Sequence, residues 1–351
     1  MLAGVLSRLH AAATGAPFGV KRFSRPGMAE ALLSELQRDA YDAVFCDDVY
    51  MFGNLPLHNS VPVLLNKHDL TYEIMERYAA YEVNPVKRAY VLLEAGNVRR
   101  WERRVCAGAD SVLACSERDG QIIRQLTAPV RALRGTLDSS ARTPVSVVPN
   151  VIDLERYRPN GASGDDGRTM LYIGAMDWHP NRDAVRYFVR EILPVIRRLV
   201  PGVHLVVAGR GASPELRHSL RADDVVFTGE VPDMASQLAA ATVCVVPLRI
   251  GSGTRLKIIE AAAMQKATVS TTLGAEGLEF AAPDEIMLAD TAEQFAQATA
   301  ELLQSPERRA QMGSKASARA LQFYSIAALE KALRSALSAV VSAECRLASS
   351  V

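Results

Sequence analysis

The sequence predicts an α/β protein built from two doubly wound, Rossmann-like domains. Its 351 residues exceed the size at which a single hydrophobic core usually stops growing, so two domains are expected. Short β-rich segments alternate with helical segments along the chain. Most of the β-rich segments are continuous apolar runs, which is typical of strands buried on both faces of a parallel sheet. These observations favour parallel sheets covered by helices.

Ten strands are predicted, four in the first half of the chain and six in the second. The first four span residues 42–48, 61–69, 111–116 and 145–151. The other six span residues 170–176, 203–209, 225–230, 242–248, 267–272 and 285–290. A complete doubly wound domain usually has about six strands, and this chain opens on a helix-like segment. We therefore expect the N-terminal domain to be incomplete at its start, through a late-assigned start codon or a true truncation.

A polar, glycine-rich stretch at residues 160–168 marks the predicted domain boundary. We predict an N-terminal domain over residues 1–155, a C-terminal domain over 165–320 and a C-terminal helix over 321–351. The apolar spacing of the last segment is typical of a core helix.

Charge and cysteine content exclude several classes of protein. The formal net charge is +1, so no global field favours nucleic acid. The five cysteines are scattered and form no CxxC pair, which predicts reduced thiols, a cytosolic protein and no zinc site. No apolar run is long enough for a transmembrane helix. The start resembles a signal peptide, but Ser7, Arg8 and His10 interrupt its apolar core, and we do not interpret it as one.

The segment "PLRIGSGTRLKIIEAAAMQKATV", residues 247–269, carries the strongest chemical signal. It reads as a strand end, a glycine loop and a helix over residues 254–265. Free N–H groups and the helix dipole make such a junction an anion site. Arg255 and Lys257 would lie in the first turn, where the dipole disfavours cations, and a bound diphosphate would explain them.

Glu260 lies one turn further on, inside an apolar run. An ionised carboxylate there needs a partner, and the hydroxyls of a ribose would supply one. From spacing alone, a second explanation stays open: Lys257 and Glu260, three residues apart, pair with each other while Arg255 is solvated.

The same segment, read on to residue 278, resembles the donor site of GT-B fold retaining glycosyltransferases, family 4 (group 1 glycosyltransferases), in a variant branch with a GSGTRxK motif. The segment "VSVVPNVIDLERYRP" resembles the family's inter-domain segment, and "MLYIGAMDWHPNRDAVRYF" resembles the first strand and helix of its donor domain. The segments "VHLVVAGRG", "VVFTGEVPD" and "VLLNKHDL" also match in order. The resemblance implies two doubly wound domains that face a cleft, with the C-terminal helix over 321–351 returning to the N-terminal domain. It covers about residues 15 to 340.

The resemblance implies a role for several residues. Glu260 matches the second glutamate of the family's E-x7-E pattern and would hold the ribose hydroxyls. Arg255 and Lys257 would neutralise the donor diphosphate and the charge that develops on the leaving group. His68, at the end of an N-domain strand, would contact the transferred sugar, although a structural histidine is the alternative. Asp69 would orient it or cap the next helix.

Other donor contacts are implied through the backbone. Gly174 would allow a close approach of the donor, and Glu230 and Val231 would lie against the nucleobase. Ser252 replaces the first glutamate of the E-x7-E pattern, which leaves sugar recognition to Ser252, Gly253 and Thr254.

The family's usual arginine and lysine after the first donor strand are missing, and Arg182 is the nearest cation. Trp178 and His179 would line the cleft, although domain-edge packing is the commoner explanation for such a tryptophan. The "CDD" of residues 46–48 is the nearest approach to a metal motif and reads better as a strand end or cap, so no metal cofactor is expected.

The resulting hypothesis is a hexosyltransferase that moves a sugar from a nucleotide-diphosphate donor to an acceptor hydroxyl with retention, in polysaccharide or glycolipid synthesis. Its partners would be the nucleotide-sugar donor and a saccharide or lipid-linked acceptor, with no nucleic acid. Two alternatives stay open: a truncated, non-catalytic nucleotide-sugar-binding protein, and an epimerase on the same fold. The expected location is cytoplasmic, with peripheral contact at the inner face of the cell membrane. The basic cluster at residues 97–104 would touch anionic lipid or form a solvated helix face.

Overall fold

The computed structural model of the protein describes residues 17–56, 61–127, 143–159 and 165–348. Most of the signal-peptide-like start and residues 160–164 of the predicted boundary lie outside the described residues. The chain divides into two compact units. The first comprises Met1–Pro149, Ser252–Thr254 and Leu329–Val351, and the second comprises Asn150–Gly251 and Arg255–Ala328.

The first unit contains a four-stranded parallel sheet in the order β1-β2-β3-β4. Its strands are β1 (Val44–Asp47), β2 (Val63–Lys67), β3 (Ser111–Ala114) and β4 (Val145–Val147). Its helices are α1 (Phe18–Phe23), α2 (Met28–Arg38), α3 (Thr71–Tyr81), α4 (Pro85–Gly108) and α5 (Glu117–Leu126), with a 3-10 turn at Met51–Asn54.

Both faces of this sheet are buried, which explains the continuous apolar runs. Leu65 and Val112 pack with Val98 and Val105 of α4 on one face. Successive side chains of a strand point to opposite faces. Leu64 and Leu113 accordingly pack on the other face, against Ala336 and Val340 of the C-terminal helix, α13 (Ile326–Ala348).

The second unit contains a six-stranded parallel sheet in the order β10-β9-β8-β5-β6-β7. The strands are β5 (Thr169–Ile173), β6 (His204–Ala208), β7 (Val225–Gly229), β8 (Val243–Val246), β9 (Thr268–Ser270) and β10 (Met287–Leu288). The helices are α6 (His179–Tyr187), α7 (Leu193–Leu199), α8 (Pro214–Ser219), α9 (Met234–Ala240), α10 (Leu256–Ala263), α11 (Ala292–Gln304) and α12 (Pro306–Tyr324).

Every predicted strand is present, with ends shifted by a few residues, and the α/β fold class is confirmed. A π-helical turn at Phe188–Ile192 separates α6 from α7. Pro194 follows this turn, lacks an N–H and cannot sit in a regular helix interior without distortion. The helix predicted over residues 254–265 is shorter at both ends, because α10 spans Leu256–Ala263.

Candidate functional site

The strand order of the second unit creates a switch point between β5 and β8. From β5 the chain builds the sheet outward through β6 and β7, then returns to place β8 on the other side of β5. Ligands of open parallel sheets bind outside the carboxyl ends of the strands at such a point. The loop after β5 and the loop after β8 therefore flank the expected binding position.

Glycines leave the backbone bare at the carboxyl ends of β5 and β6. A Cβ on Gly174 would lie 2.8 Å from the side chain of Asn181, and a Cβ on Gly209 would lie 2.1 Å from the Gly174 carbonyl oxygen. The Gly174 amide donates to the carbonyl of Ala208 at 2.9 Å. Gly174 thus lies in the predicted loop, and neither glycine position has room for a side chain.

Lys257 reaches the carboxyl end of β5 from the first turn of α10. Its Nζ donates to Asn181 Oδ1 at 3.0 Å and to the Tyr172 hydroxyl at 3.2 Å, and it lies 4.3 Å from the centroid of the Tyr172 ring. Tyr172 itself donates to Asn181 Oδ1 at 2.7 Å. Burial, together with the charge of Arg255, lowers the pKa of Lys257 to about 7. An anion beside this amine would favour its charged form.

Arg255 precedes α10 as its N-cap residue, rather than lying in the first turn as predicted. Its side chain is buried, and Nη2 donates to the carbonyl oxygen of Leu273 at 2.8 Å. The guanidinium therefore ties the loop after β9 to the N-terminus of α10. Its charge remains close enough to Lys257 to lower that residue's pKa.

Glu260 and Lys257 bind different partners, and no ion pair between them is present in the part of the chain that the structure describes. Glu260 Oε1 accepts a hydrogen bond from the Tyr157 hydroxyl at 3.0 Å. Burial raises the pKa of Glu260 overall, although the bond from Tyr157 and the charge of Lys257 oppose the change. Burial and the Glu260 charge also raise the pKa of Tyr157 to about 12, so Tyr157 stays a proton donor. The pairing that spacing alone allowed does not form.

Glu230 and Val231 follow β7 directly. The Glu230 side chain is exposed and Val231 is half-buried. Before them, Gly229 has a φ of +74° and its carbonyl accepts from the Gly209 amide at 3.0 Å. Their predicted contact with a nucleobase stays a prediction.

His68 lies directly after β2 in the first unit. Its Nε2 is 2.8 Å from Asp47 Oδ1 and 3.3 Å from Asn66 Nδ2, and its side chain is 45% exposed. Burial raises the pKa of Asp47, but hydrogen bonds from Asn66 and His68 lower it overall. Asp69, one residue on, accepts from the Thr71 hydroxyl at 2.8 Å, at the start of α3. The predicted contact of His68 with a sugar stays a prediction.

Ser252, Gly253 and Thr254 belong to the first unit. Ser252 Oγ accepts from the Leu70 amide at 3.1 Å. Gly253 has a φ of +73°, and a Cβ there would lie 2.4 Å from the His68 carbonyl oxygen. These three residues therefore pack on the turn that carries His68, which adds a structural role to the sugar contact predicted for them.

No group of three or more potential metal ligands occurs in the described ranges. Asp47, the middle residue of the "CDD" motif, binds His68 and Asn66 instead. Burial raises the pKa of the Cys46, Cys106, Cys115 and Cys244 thiols to about 12, as expected for cysteines that pack as small hydrophobes.

Two other predicted cleft residues have local roles. Arg182 Nη1 donates to the carbonyl oxygens of Met176 and Asp177, at 2.8 and 2.7 Å, so it braces the loop after β5. Trp178 is exposed and precedes α6 as its N-cap residue, next to His179 at the helix start.

Sequence reasoning missed Asn181, Tyr172 and Tyr157. The first two bind Lys257, and the third binds Glu260. Asn181 and Tyr157 both lie inside segments that were used only to recognise the domain organisation. A polar side chain just after the first strand of the second sheet was the available signal for Asn181.

Residues 167–305 match the family model described as glycosyl transferases group 1. This range includes Lys257, Glu260, Asn181 and Tyr172 but not Tyr157. No curated protein matches the chain at a significant level. Because the family model covers less than half of the chain, the match describes the second unit.

Several solved structures share the fold. Sucrose-phosphate synthase from Thermosynechococcus elongatus is 17% identical, with a TM-score of 0.65 over 93% of this chain and 77% of its own. TarM of S. aureus is 13% identical, with a TM-score of 0.66, and the match covers 87% of this chain but only 57% of TarM. HepE from Anabaena, in complex with UDP and glucose, is 14% identical, with a TM-score of 0.64 over 90% of this chain and 84% of its own. At these identities the similarity establishes the fold, which is the predicted GT-B type.

Proposed function

We propose that the protein is a retaining hexosyltransferase that uses a nucleotide-diphosphate sugar as donor and an acceptor hydroxyl as nucleophile. One observation carries the proposal: Lys257 reaches the switch point of a domain that matches group 1 glycosyltransferases, and the charges of Arg255 and Glu260 lie close enough to shift its pKa. A cation next to a helix N-terminus suits a diphosphate. A half-buried carboxylate one turn away suits a diol.

In this proposal the second unit holds the donor. The diphosphate lies against the N-terminus of α10 and Lys257, and Arg255 adds positive charge from behind. Glu260, steadied by Tyr157, accepts a ribose hydroxyl. The basic groups and the helix dipole stabilise the charge that develops on the leaving diphosphate. Positive charge thus comes from the chain itself, and no metal is invoked.

The acceptor is a saccharide or a lipid-linked saccharide in polysaccharide or glycolipid assembly, and the protein acts in the cytoplasm. Two of the structures with the same fold support the substrate class. HepE was solved with UDP-glucose, and TarM with UDP, fondaparinux and alpha-GlcNAc-glycerol. His68 contacts the transferred sugar in this proposal, on the strength of the resemblance of its segment.

Calorimetric titration with a panel of nucleoside diphosphates tests donor binding. We expect at least one nucleotide to bind, and Glu260→Ala to weaken it about tenfold or more, because charged hydrogen bonds contribute about 1.5–3 kcal/mol. Glu230→Ala is the matched control, because only the backbone of this exposed residue is assigned a contact. Equal affinities for wild type and Glu260→Ala would contradict the assignment.

Turnover separates the enzyme from a protein that only binds nucleotide sugars. We expect sugar transfer to a saccharide acceptor, with the anomeric configuration of the donor retained in the product by NMR. Donor binding without transfer or hydrolysis, across a panel of acceptors, would favour the non-catalytic alternative.

A further inference from the structure

Charge is strictly divided between the two faces of α4 in the first unit. Both acidic residues of this helix, Glu94 and Glu102, are buried, with exposures of 4% and 0%. All its basic residues are exposed: Lys87, Arg88, Arg99, Arg100, Arg103 and Arg104. The solvent face of a 24-residue helix therefore carries positive charge with no carboxylate. An ordinary solvated helix face mixes both signs, often as ion pairs.

The four arginines in the second half of α4 have no carboxylate within ion-pair distance among the residues that the structure describes. Arg99 lies 5.3 Å from the centroid of the Tyr72 ring, and Arg100 donates to Asn97. Their charges are therefore not neutralised within the described chain. This leaves them available to an external anion.

Arg99, Arg100 and Arg103 also line an open cavity of about 330 Å³, together with Gln125 and Leu126 at the end of α5. The volume lies at the lower end of the range of small-molecule sites. Guanidinium groups bind the oxygens of phosphates and of carboxylates in a planar, bidentate manner. The cavity thus suits an oxyanion, and the phosphate of a lipid headgroup is one of that class.

Apolar side chains continue the same solvent face toward the helix start. Val86 is 78% exposed, and Leu92 and Leu93 are 46% and 50% exposed. A helix that combines exposed aliphatic side chains with arginines fits the boundary between lipid headgroups and acyl chains. Surfaces for single-stranded nucleic acid instead combine basic side chains with exposed aromatic ones, and the described residues of this face include no exposed aromatic side chain.

We infer that the solvent face of α4 is a docking surface for an anionic lipid bilayer, with the arginine cavity holding a lipid phosphate and Leu92 and Leu93 entering the headgroup layer. The observations that carry this inference are charge complementarity, the cavity and the adjoining aliphatic side chains. The surface belongs to the first unit, and the inference does not depend on the function proposed for the second unit.

Vesicle co-sedimentation of the full chain tests the surface. Wild type should bind phosphatidylcholine vesicles that contain phosphatidylglycerol, and not pure phosphatidylcholine vesicles. Each arginine near an anionic surface contributes roughly a fivefold change in partition, so Arg100→Gln, Arg103→Gln and Arg104→Gln together should weaken binding about a hundredfold. Failure of the wild type to bind the anionic vesicles at low salt would overturn the proposal.

A matched variant separates the surface from net charge. Arg190, Arg198 and Arg221 are exposed residues of the second unit, and changing all three to glutamine removes the same charge. This variant should bind vesicles like wild type, and an equal loss in both triple variants would overturn the proposal. If wild type also bound duplex DNA and the triple arginine variant of α4 did not, the surface would bind polyanions in general. That result would overturn the assignment to a lipid bilayer.

Leu92→Ser with Leu93→Ser tests the apolar half. This variant should bind several-fold more weakly, and its remaining binding should disappear at high salt, because only the electrostatic part is screened. Unchanged binding and salt dependence would contradict insertion. All variants should bind nucleotide with wild-type affinity. A negative result in the vesicle experiments therefore does not bear on the proposed function, which calorimetry tests separately.

Discussion

At the scale of single residues, Lys257 is the most informative position. A buried amine has lost hydration, and its neighbours Tyr172 and Asn181 are neutral groups that solvate it without a countercharge. Burial and Arg255 leave its pKa at about 7, below the usual value for lysine. At neutral pH such an amine is only partly charged, and an arriving anion favours its charged form. The donor diphosphate is the anion that the proposed function supplies.

Donor affinity should therefore fall as pH rises. Well below pH 7 the amine of the free protein is already charged, and donor affinity should not change with pH. Above that pH, binding must take up a proton, so affinity should fall by roughly tenfold per pH unit. The probe should be UDP-glucose, or the nucleotide sugar of whichever nucleoside diphosphate binds. The diphosphate of a nucleotide sugar keeps the same charge over this pH range.

Calorimetry at pH 8 in buffers of different ionisation enthalpy measures this proton uptake directly. Lys257→Met should remove both the uptake and the pH dependence. An affinity that stays constant up to pH 9 in the wild type would contradict the role given to Lys257.

Tyr157 is the second position argued at this scale. Tyr157→Phe removes a donor to a half-buried carboxylate, so Glu260 should hold its charge less well and grip the ribose less firmly. Because such bonds are worth about 1.5–3 kcal/mol, nucleotide affinity should fall about tenfold or more. The loss should be smaller for the deoxynucleotide that lacks the contacted hydroxyl.

Tyr324→Phe is the control for this change, because Tyr324 is a buried tyrosine of the same apolar cluster, but its hydroxyl accepts from the Glu279 amide instead of contacting Glu260. If Tyr157→Phe weakened the affinity for ribose and deoxyribose nucleotides equally, its effect would not act through the sugar hydroxyls. That result would contradict the role given to Tyr157.

At the scale of elements, the turn after β2 is held at several points. Leu70 donates to Ser252, Thr71 donates to Glu102 at 3.0 Å, and Cys115 Sγ lies 3.1 Å from the His68 carbonyl. Glu102 in turn forms a fully buried ion pair with Lys67 at 3.0 Å. This density of contacts fixes the position of His68. The glycine at position 253 is part of the same arrangement.

Gly253→Ala should therefore destabilise the first unit. The new Cβ would meet the His68 carbonyl at 2.4 Å, and alanine would be strained at a φ of +73°. A loss of about 1–3 kcal/mol in the free energy of unfolding is expected. Gly96→Ala is the contrasting change, because a Cβ at Gly96 in α4 meets nothing within 4 Å. It should raise stability by about 0.5–1 kcal/mol. Urea unfolding of both variants checks the pair, and equal effects would contradict the account of position 253.

The elements also show why sequence reasoning stopped where it did. The strands were predictable because burial on both sheet faces leaves a continuous apolar run, as in β2 and β8. The π-helical turn before Pro194 was not, because a proline signals distortion without specifying its form. The start of α10 was placed two residues early, because its N-cap is Arg255, a residue type without a capping preference, while Thr254, which has one, lies before it.

At the scale of the whole molecule, the sequence indicated the fold class and a candidate anion site, and the structure supplied the hydrogen-bond partners of that site's residues. Lys257 and Glu260 looked like a pair from their spacing, yet each binds a residue about 80 to 100 positions away in the chain: Nζ of Lys257 bonds Asn181, and Glu260 bonds Tyr157. Contacts at that separation depend on strand order, which periodicity does not reveal.

No helix over the described ranges has the length and apolarity needed to cross a membrane.

The central claim is that the N-terminus of α10, with Lys257, binds a diphosphate. The most direct measurement compares the affinities of wild type and Lys257→Met for the best-binding nucleoside diphosphate and for its monophosphate, at about pH 6, where most of the amine is charged. The account predicts that the wild type prefers the diphosphate and that Lys257→Met loses about tenfold or more of that preference while its monophosphate affinity changes little. An unchanged preference for the diphosphate in Lys257→Met would contradict the claim.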